Sequence, residues 1–355
     1  MNTKIVTLTR DEEKETLLAK LAQAGEIIKG GGLVAFPTET VYGLGGDALN
    51  PTSSQKIYAA KGRPSDNPLI VHIAEMEHLE NIVREVPENA KKLANAFWPG
   101  PLTMIMNKSD AVPYQTTGGL DTVAVRMPAH PLALTFIKNA GGYVAAPSAN
   151  LSGKPSPTKA QYVIQDMDGR IDMILNADAG ADDAIGIEST IVDMTGEVPI
   201  ILRPGYITQE MITKVIGKTD TDVTILDDKS KQPPKAPGMK YRHYAPKGEL
   251  IIVEGEPKQV ISYINEQTAL HAEKGEKTGI IGTSERIGQY RADSIKDIGK
   301  RDDILSAAQK LYTFLREFDD ENIAYIYSES FSSEGVGQAV MNRLLKAAGH
   351  RCIKL

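Results

Sequence analysis

Residues 61–72 read KGRPSDNPLIVH, a loop with two cations that runs into an apolar strand. Arginine offers a planar fork that meets phosphate or carboxylate through two hydrogen bonds, and lysine supplies a compact charge. Lys61 and Arg63 therefore suit an anion, on a loop that Pro64 and Pro68 stiffen. Asn67 adds amide donors. His72 alternates with Val71 and Ile73, so it either faces a ligand or is an ordinary core histidine. Four more stretches end apolar runs in polar turns. FPTETVYGLGGDA (36–48) presents Thr38, Thr40 and Tyr42, with Gly43, Gly45 and Gly46 allowing close backbone approach. LDTVAVRMPAHP (120–131) carries Arg126, placed to hold a substrate carboxylate or to pair at the sheet rim. YVAAPSANLSGKPSPT (143–158) offers Ser148, Asn150, Ser152 and Ser156, and GIESTIVD (186–193) offers Glu188 and Ser189. Arg203 precedes a Pro-Gly turn. Each stretch alone could be plain turn chemistry. Together they suit a polyanion plus a small polar molecule, with catalysis by positioning and charge stabilisation.

Strands must bring these turns together. Open α/β sheets bind ligands where strands end. Buried strands are expected at 33–36, 69–73, 102–107, 122–127, 143–146, 171–176 and 189–193. Helices are expected near 53–60, 75–83, 87–97, 131–139, 158–166 and 208–217, which makes a mixed α/β sheet. A first helix follows a Thr9/Glu12 capping-box pattern and stops at Gly30-Gly31-Gly32. Residues 229–247, KSKQPPKAPGMKYRHYAPK, hold six Lys/Arg, four Pro and no acid, and read as a linker. Beyond them strands (250–253, 278–282, 323–327, 351–354) alternate with helices (257–267, 302–318, 335–348), as in a small parallel, Rossmann-like sheet. The domains expected are 1–228, the 229–247 linker and 248–355.

Several classes are excluded by composition and pattern. A net charge of −6 over 355 residues argues against a whole-molecule electrostatic grip on nucleic acid. One cysteine, Cys352, allows neither a disulfide framework nor a Cys-based zinc site within one chain. The beginning, MNTKIVTLTRDEEK, lacks an apolar leader, and no run is long enough to span a bilayer. There is no Walker A loop, G-x-S-x-G elbow or paired-histidine metal spacing. The acidic run 178–184 could touch a metal but reads better as solvated loop.

The set FPTETVYGLG, AAKGRPSDNPLIVH, WPGPLT, TVAVRMPAHP, APSANLSGKPSPT and GIEST, in this order, resembles the YrdC-like domain of the threonylcarbamoyl-AMP synthase family. APGMKYRHYAP and the C-terminal region resemble the family's long, two-domain form. The resemblance implies a twisted mixed sheet with flanking helices, followed by a smaller Rossmann-like domain. It implies a nucleotidyltransferase that joins L-threonine, bicarbonate (or CO2) and ATP into threonylcarbamoyl-AMP and pyrophosphate, for tRNA modification. By likeness, Lys61 and Arg63 are catalytic, with Mg2+ on the ATP phosphates. Arg63, Asn67, Thr122, Ser148, Asn150, Ser156 and Arg203 hold ATP; Thr40, His72, Arg126, Ala146 and Ser189 hold threonine.

Residues 236–246 are expected to fold over the nucleotide as a lid, with Tyr241 or His243 touching it. A downstream threonylcarbamoyl transferase would act on tRNA, so this chain itself need not bind tRNA stably. The cytoplasm is the expected compartment, and no membrane is involved. The alternatives are a double-stranded RNA or tRNA-binding module and a nucleotide sensor without turnover. Carbamoyl transfer of the hydrogenase-maturation type would need Cys pairs that this chain lacks.

Overall fold

A computed structural model describes residues 2–9, 11–177, 184–222 and 243–355. The chain divides into two compact units, Met1–Ser152 with Ser156–Lys240, and Gly153–Pro155 with Tyr241–Leu355. The division falls at Lys240/Tyr241, inside the 229–247 stretch.

The first unit is built on an eleven-stranded sheet. Its strands are β1 (Lys4–Thr7), β2 (Val34–Phe36), β3 (Gly43–Asp47), β4 (Ile70–His72), β5 (Leu102–Asn107), β6 (Thr122–Arg126), β7 (Val144–Ala146), β8 (Met173–Asn176), β9 (Thr190–Asp193), β10 (Ile200–Arg203) and β11 (Asp220–Thr221). They lie in the order β1-β8-β2-β3-β7-β4-β6-β5-β9-β10-β11. The sheet is mixed: β4 and β6 are parallel, as are β5 and β9, while β6 and β5 are antiparallel.

Register decides which side chains share a face, because side chains alternate along a strand and cross-strand partners point the same way. Ile70 pairs with Ala124 and with Ala146, and His72 with Arg126 and with Val144. Ala124 in turn opposes Ile105, Thr122 opposes Asn107, and Thr103 opposes Ile191. Arg203 opposes Ile191 after a register shift. One face therefore carries Thr122, Ala124, Arg126, His72 and Thr103. The other carries Val71, Val123, Val125, Met104 and Val192, which pack in the main core with helical side chains such as Ile57, Leu93 and Val163.

The polar-bearing face is covered in two ways. Towards β8 and β2, residues Val34, Phe36, Val144 and Ala146 pack under Leu21, Ala24 and Ile28 of helix Lys14–Lys29 and Phe136 and Ile137 of helix Pro131–Asn139. From β4 to β10, Ile70, Ile105, Ala124, Ile191 and Leu202 form a small cluster with no helical member. Those five side chains are the floor beneath the polar residues.

The second unit has a five-stranded, all-parallel sheet: β12 (Glu249–Glu254), β13 (Thr278–Gly282), β14 (Ser294–Asp297), β15 (Tyr325–Glu329) and β16 (Cys352–Lys354). Their order is β14-β13-β15-β12-β16. Helices Pro257–Glu273, Ile304–Asp320 and Val336–Ala347 connect them, so both expected sheet types are present.

Two local readings need correction. The Thr9/Glu12 capping box does not form: the helix starts at Lys14 after an N-cap Glu13 without a side-chain cap, and Glu12 pairs with Lys20 instead. Gly43 and Gly45 are strand residues of β3 and not a loop for a ligand. A Cβ at Gly43 would stand 3.0 Å from the Phe36 ring, and one at Gly45 would stand 2.8 Å from Val144. Their missing side chains make room for the sheet's own packing.

Candidate active site

The helix Pro51–Lys61 delivers the first cation. Asn50 caps its start by accepting from Thr52 N, and Gly62 ends it in the left-handed conformation at φ 62°. Lys61 is thus the last helical residue, and it is buried at 3% exposure. Its Nζ donates to the carbonyls of Ser148 and Asn150, both at 2.5 Å. Ser152 N donates to Lys61 O at 2.9 Å, so the turn after β7 is clamped to the helix end from both sides. Ser148 Oγ donates to Asn150 Oδ1 at 2.5 Å.

Arg63 follows the glycine. Its Nε donates to Asn67 O at 3.2 Å and its Nη2 to Pro68 O at 3.0 Å. The guanidinium thus orders the whole 63–68 loop, which enters β4. Asn67 is 2% exposed, and its Oδ1 has no hydrogen-bond partner among the described residues.

A second group forms around Arg126. Nη1 donates to Thr40 Oγ1 at 3.0 Å, Nε to Gly100 O at 3.3 Å, and Nη2 lies 2.8 Å from Glu39 Oε1. Thr40 Oγ1 is also 2.9 Å from Thr38 Oγ1. His72 stands beside Arg126 in register. Burial first, and the Arg126 charge second, push its pKa down to about 3 against the pull of the Ile70 and Val144 carbonyls. The ring is therefore neutral at physiological pH. Its Nδ1 lies 3.2 Å from Ile70 O, which can only accept, so this contact forms a hydrogen bond in the tautomer with the proton on Nδ1.

The third group spans β5, β9 and β10. Ser189 Oγ is 2.8 Å from Thr103 Oγ1, and Arg203 donates to Ser189 through Nε (to O, 3.0 Å) and Nη2 (to Oγ, 3.2 Å). Ser156 Oγ donates to Glu188 Oε1 at 2.6 Å, one residue away.

The structure therefore gathers most of the expected residues in the first unit. Lys61, Ser148 and Asn150 form one bonded group, Arg63 and Asn67 another, Thr40 and Arg126 a third, and Ser189 and Arg203 a fourth. Thr122 and Ala146 lie on the same sheet face by register. His243 belongs to the second unit, where its ring sits 5.3 Å from Tyr244. Tyr241 lies outside the described residues, as does most of the 178–184 run. Two participants were not singled out from sequence: Thr103, the partner of Ser189, and Glu39, the partner of Arg126. Chemically, these groups can hold an anion at the Lys61/Arg63 loop and a carboxylate at Arg126, over an apolar floor.

Comparison with known proteins gives a consistent picture. A family profile described as "Telomere recombination" matches residues 26–205, and one described as "Threonylcarbamoyl-AMP synthase, C-terminal domain" matches residues 207–349. The chain is 48% identical over 355 residues, all of both chains, to a threonylcarbamoyl-AMP synthase of Bacillus subtilis. It is 49% identical over 336 residues to the Pyrococcus abyssi threonylcarbamoyl-AMP synthase, covering 95% of this chain and 96% of that one. The crystal structure of P. abyssi Sua5 complexed with L-threonine superposes with a TM-score of 0.91 at 45% identity, over 99% of this chain and 100% of that one.

Proposed function

The chain belongs to the threonylcarbamoyl-AMP synthase family, and on that premise we propose how its sheet face carries out the reaction. The protein is an enzyme that makes L-threonylcarbamoyl-AMP and pyrophosphate from L-threonine, bicarbonate or CO2, and ATP. A nucleic-acid-binding or sensing role without turnover is not favoured. The observation that carries the residue roles is register: Thr122, Arg126 and His72 share one face, and Ser189 and Arg203 are bonded into it through Thr103.

Threonine binds by its carboxylate to Arg126, and its hydroxyl donates to His72 Nε2, which keeps a lone pair in the tautomer protonated at Nδ1. Thr40, Ser189 and the Ala146 backbone complete its pocket. Its amino nitrogen is carboxylated to a carbamate. A carbamate oxygen then attacks the α-phosphate of ATP, and pyrophosphate leaves. Negative charge grows on phosphate oxygens, where Lys61 and Arg63 supply positive charge already held in place by carbonyls, so little reorganisation is needed. Asn67, Thr122, Ser148, Asn150, Ser156 and Arg203 hold the nucleotide.

Among the described residues no group of three or more His, Cys, Asp or Glu side chains could hold a metal ion. Mg2+ would enter on the phosphates of ATP, as part of the MgATP substrate, and neutralise their charge. A tRNA-modifying transferase consumes the product, in the cytoplasm where ATP and tRNA meet. No helix among the described residues is long and apolar enough to cross a membrane.

The test is incubation with MgATP, labelled bicarbonate and L-threonine. A labelled adenylate should form, and its formation should require threonine. Equal yield with glycine or alanine, which lack the hydroxyl, overturns the assignment of His72 to it, and no adenylate with threonine overturns the reaction itself.

A further inference from the structure

Glu39 lies between Thr38 and Thr40 in the turn after β2, with its side chain 14% exposed. Its Oε1 is 2.8 Å from Arg126 Nη2, yet neither carboxylate oxygen nor Nη2 has a well-directed hydrogen bond among the described residues. The pair is close in distance and poor in angle. His130 is a titratable group that feels the charge of Glu39. Burial lowers the His130 pKa while the Glu39 charge raises it, and His130 Nδ1 also lacks a hydrogen-bond partner among the described residues. A buried carboxylate is ordinarily saturated with donors, because each missing hydrogen bond leaves a desolvation cost uncompensated. Glu39 is the exception inside the amino-acid pocket.

Arg126 already uses its other edges, Nε on Gly100 O and Nη1 on Thr40 Oγ1. A substrate carboxylate that is to bind the guanidinium as a two-pronged pair must take Nη2. We propose that Glu39 is the exchange partner of the amino-acid substrate. The α-carboxylate takes Nη2 of Arg126, and the released Glu39 carboxylate accepts from the substrate ammonium. The inference rests on the reading that Arg126 holds the threonine carboxylate.

Geometry supports the exchange. In an α-amino acid one carbon separates carboxylate from ammonium. A group that yields its place to the first is therefore within hydrogen-bond reach, about 3 Å, of the second. The charge balance closes as well. Arg126 and Glu39 are one pair, the zwitterion is another, and the four charges alternate with none stranded. A carboxylic acid without an ammonium group would displace Glu39 and leave it buried without a partner. The exchange therefore selects for amino acids by penalising plain acids.

The experiment compares L-threonine with its α-hydroxy analogue, 2,3-dihydroxybutanoate of matching configuration. Both are titrated calorimetrically into the wild type, E39Q, E39D and R126Q, with ATP as a control and melting curves for integrity. In E39Q, threonine affinity should fall about 10- to 100-fold. The hydroxy analogue should bind E39Q more tightly than the wild type, and ATP affinity should hold. E39D should recover part of the preference for threonine, and it remains informative if E39Q does not fold. An equal loss for both ligands marks Glu39 as merely structural and overturns the exchange, as does intact discrimination in E39Q. If R126Q binds threonine as the wild type does, the Arg126 reading itself fails. If R126Q loses threonine while E39Q and E39D discriminate normally, only the exchange fails.

Discussion

Each unit buries a glutamate against arginine, and the two sites are built differently. In the second unit Glu329 ends β15 at 1% exposure. Its Oε2 accepts from Arg286 Nη1 at 2.6 Å and Arg301 Nη1 at 3.1 Å, and its Oε1 from Thr283 N at 3.1 Å. Arg301 also reaches Ser330 O. Glu39 has one ion pair and no well-formed hydrogen bond among the described residues. Glu329 lies where a parallel sheet usually receives ligands, and there the unit's own side chains take up that position. A buried charge that is saturated holds a fold together. One left short of donors keeps capacity for a substrate.

The contrast is broken or sharpened most strongly at the two extremes. Lys61→Met removes positive charge from the phosphate loop, and adenylate formation should fall about 100- to 1000-fold, read as threonine-dependent pyrophosphate release. The E329Q substitution should leave that rate unchanged while lowering unfolding free energy by about 2–3 kcal/mol, measured by denaturant titration. The loss stays below the roughly 3–5 kcal/mol of a fully buried pair, because Arg301 is 43% exposed and can turn to water. E39Q should cost less than half as much stability as E329Q. If it costs more, Glu39 is a structural member like its counterpart.

A pH experiment separates the units further. His72 stays neutral in the folded state down to about 3, whereas an unfolded histidine protonates near about 6.5. The unfolded state then binds more protons across that window. Stability should therefore fall as pH drops from about 6.5 towards about 3, by a slope of up to one proton. H72Q should flatten this acid limb, and E329Q should not remove His72's part of it. The smallest effect is expected from Thr103→Val. Ser189 Oγ loses one partner but keeps Arg203, so stability should change by about 1 kcal/mol or less, with a few-fold weaker ligand affinity.

Long periodic elements were legible from residue pattern. Helix Pro131–Asn139 and strands β5 and β13 occupy the spans expected for them. β3 was not, because GLGGD has no strand propensity; it forms because only bare backbone fits against Phe36 and Val144, a tertiary demand that overrides propensity. β1 and β14 bury at most one of their four residues, so no apolar run marks them, unlike the still shorter β2, β4 and β7, which are buried throughout. Within the site, strand-end motifs were legible one by one, but their common face depends on pairing register, which no single stretch contains. Glu39 carries no signal of its own between two threonines, since a carboxylate has the wrong sign to join groups that gather anions. Its meaning comes only from the arginine that folding brings to it.

The floor of Ile70, Ile105, Ala124, Ile191 and Leu202 stands apart from the main core. Binding and folding are thereby assigned to opposite sides of the same strands. Natural variation or design can reshape the bed under the substrates by a methyl group here or there, while Val123 and Val125 continue to hold the helices. A scaffold partitioned in this way can change its diet without having to relearn how to fold.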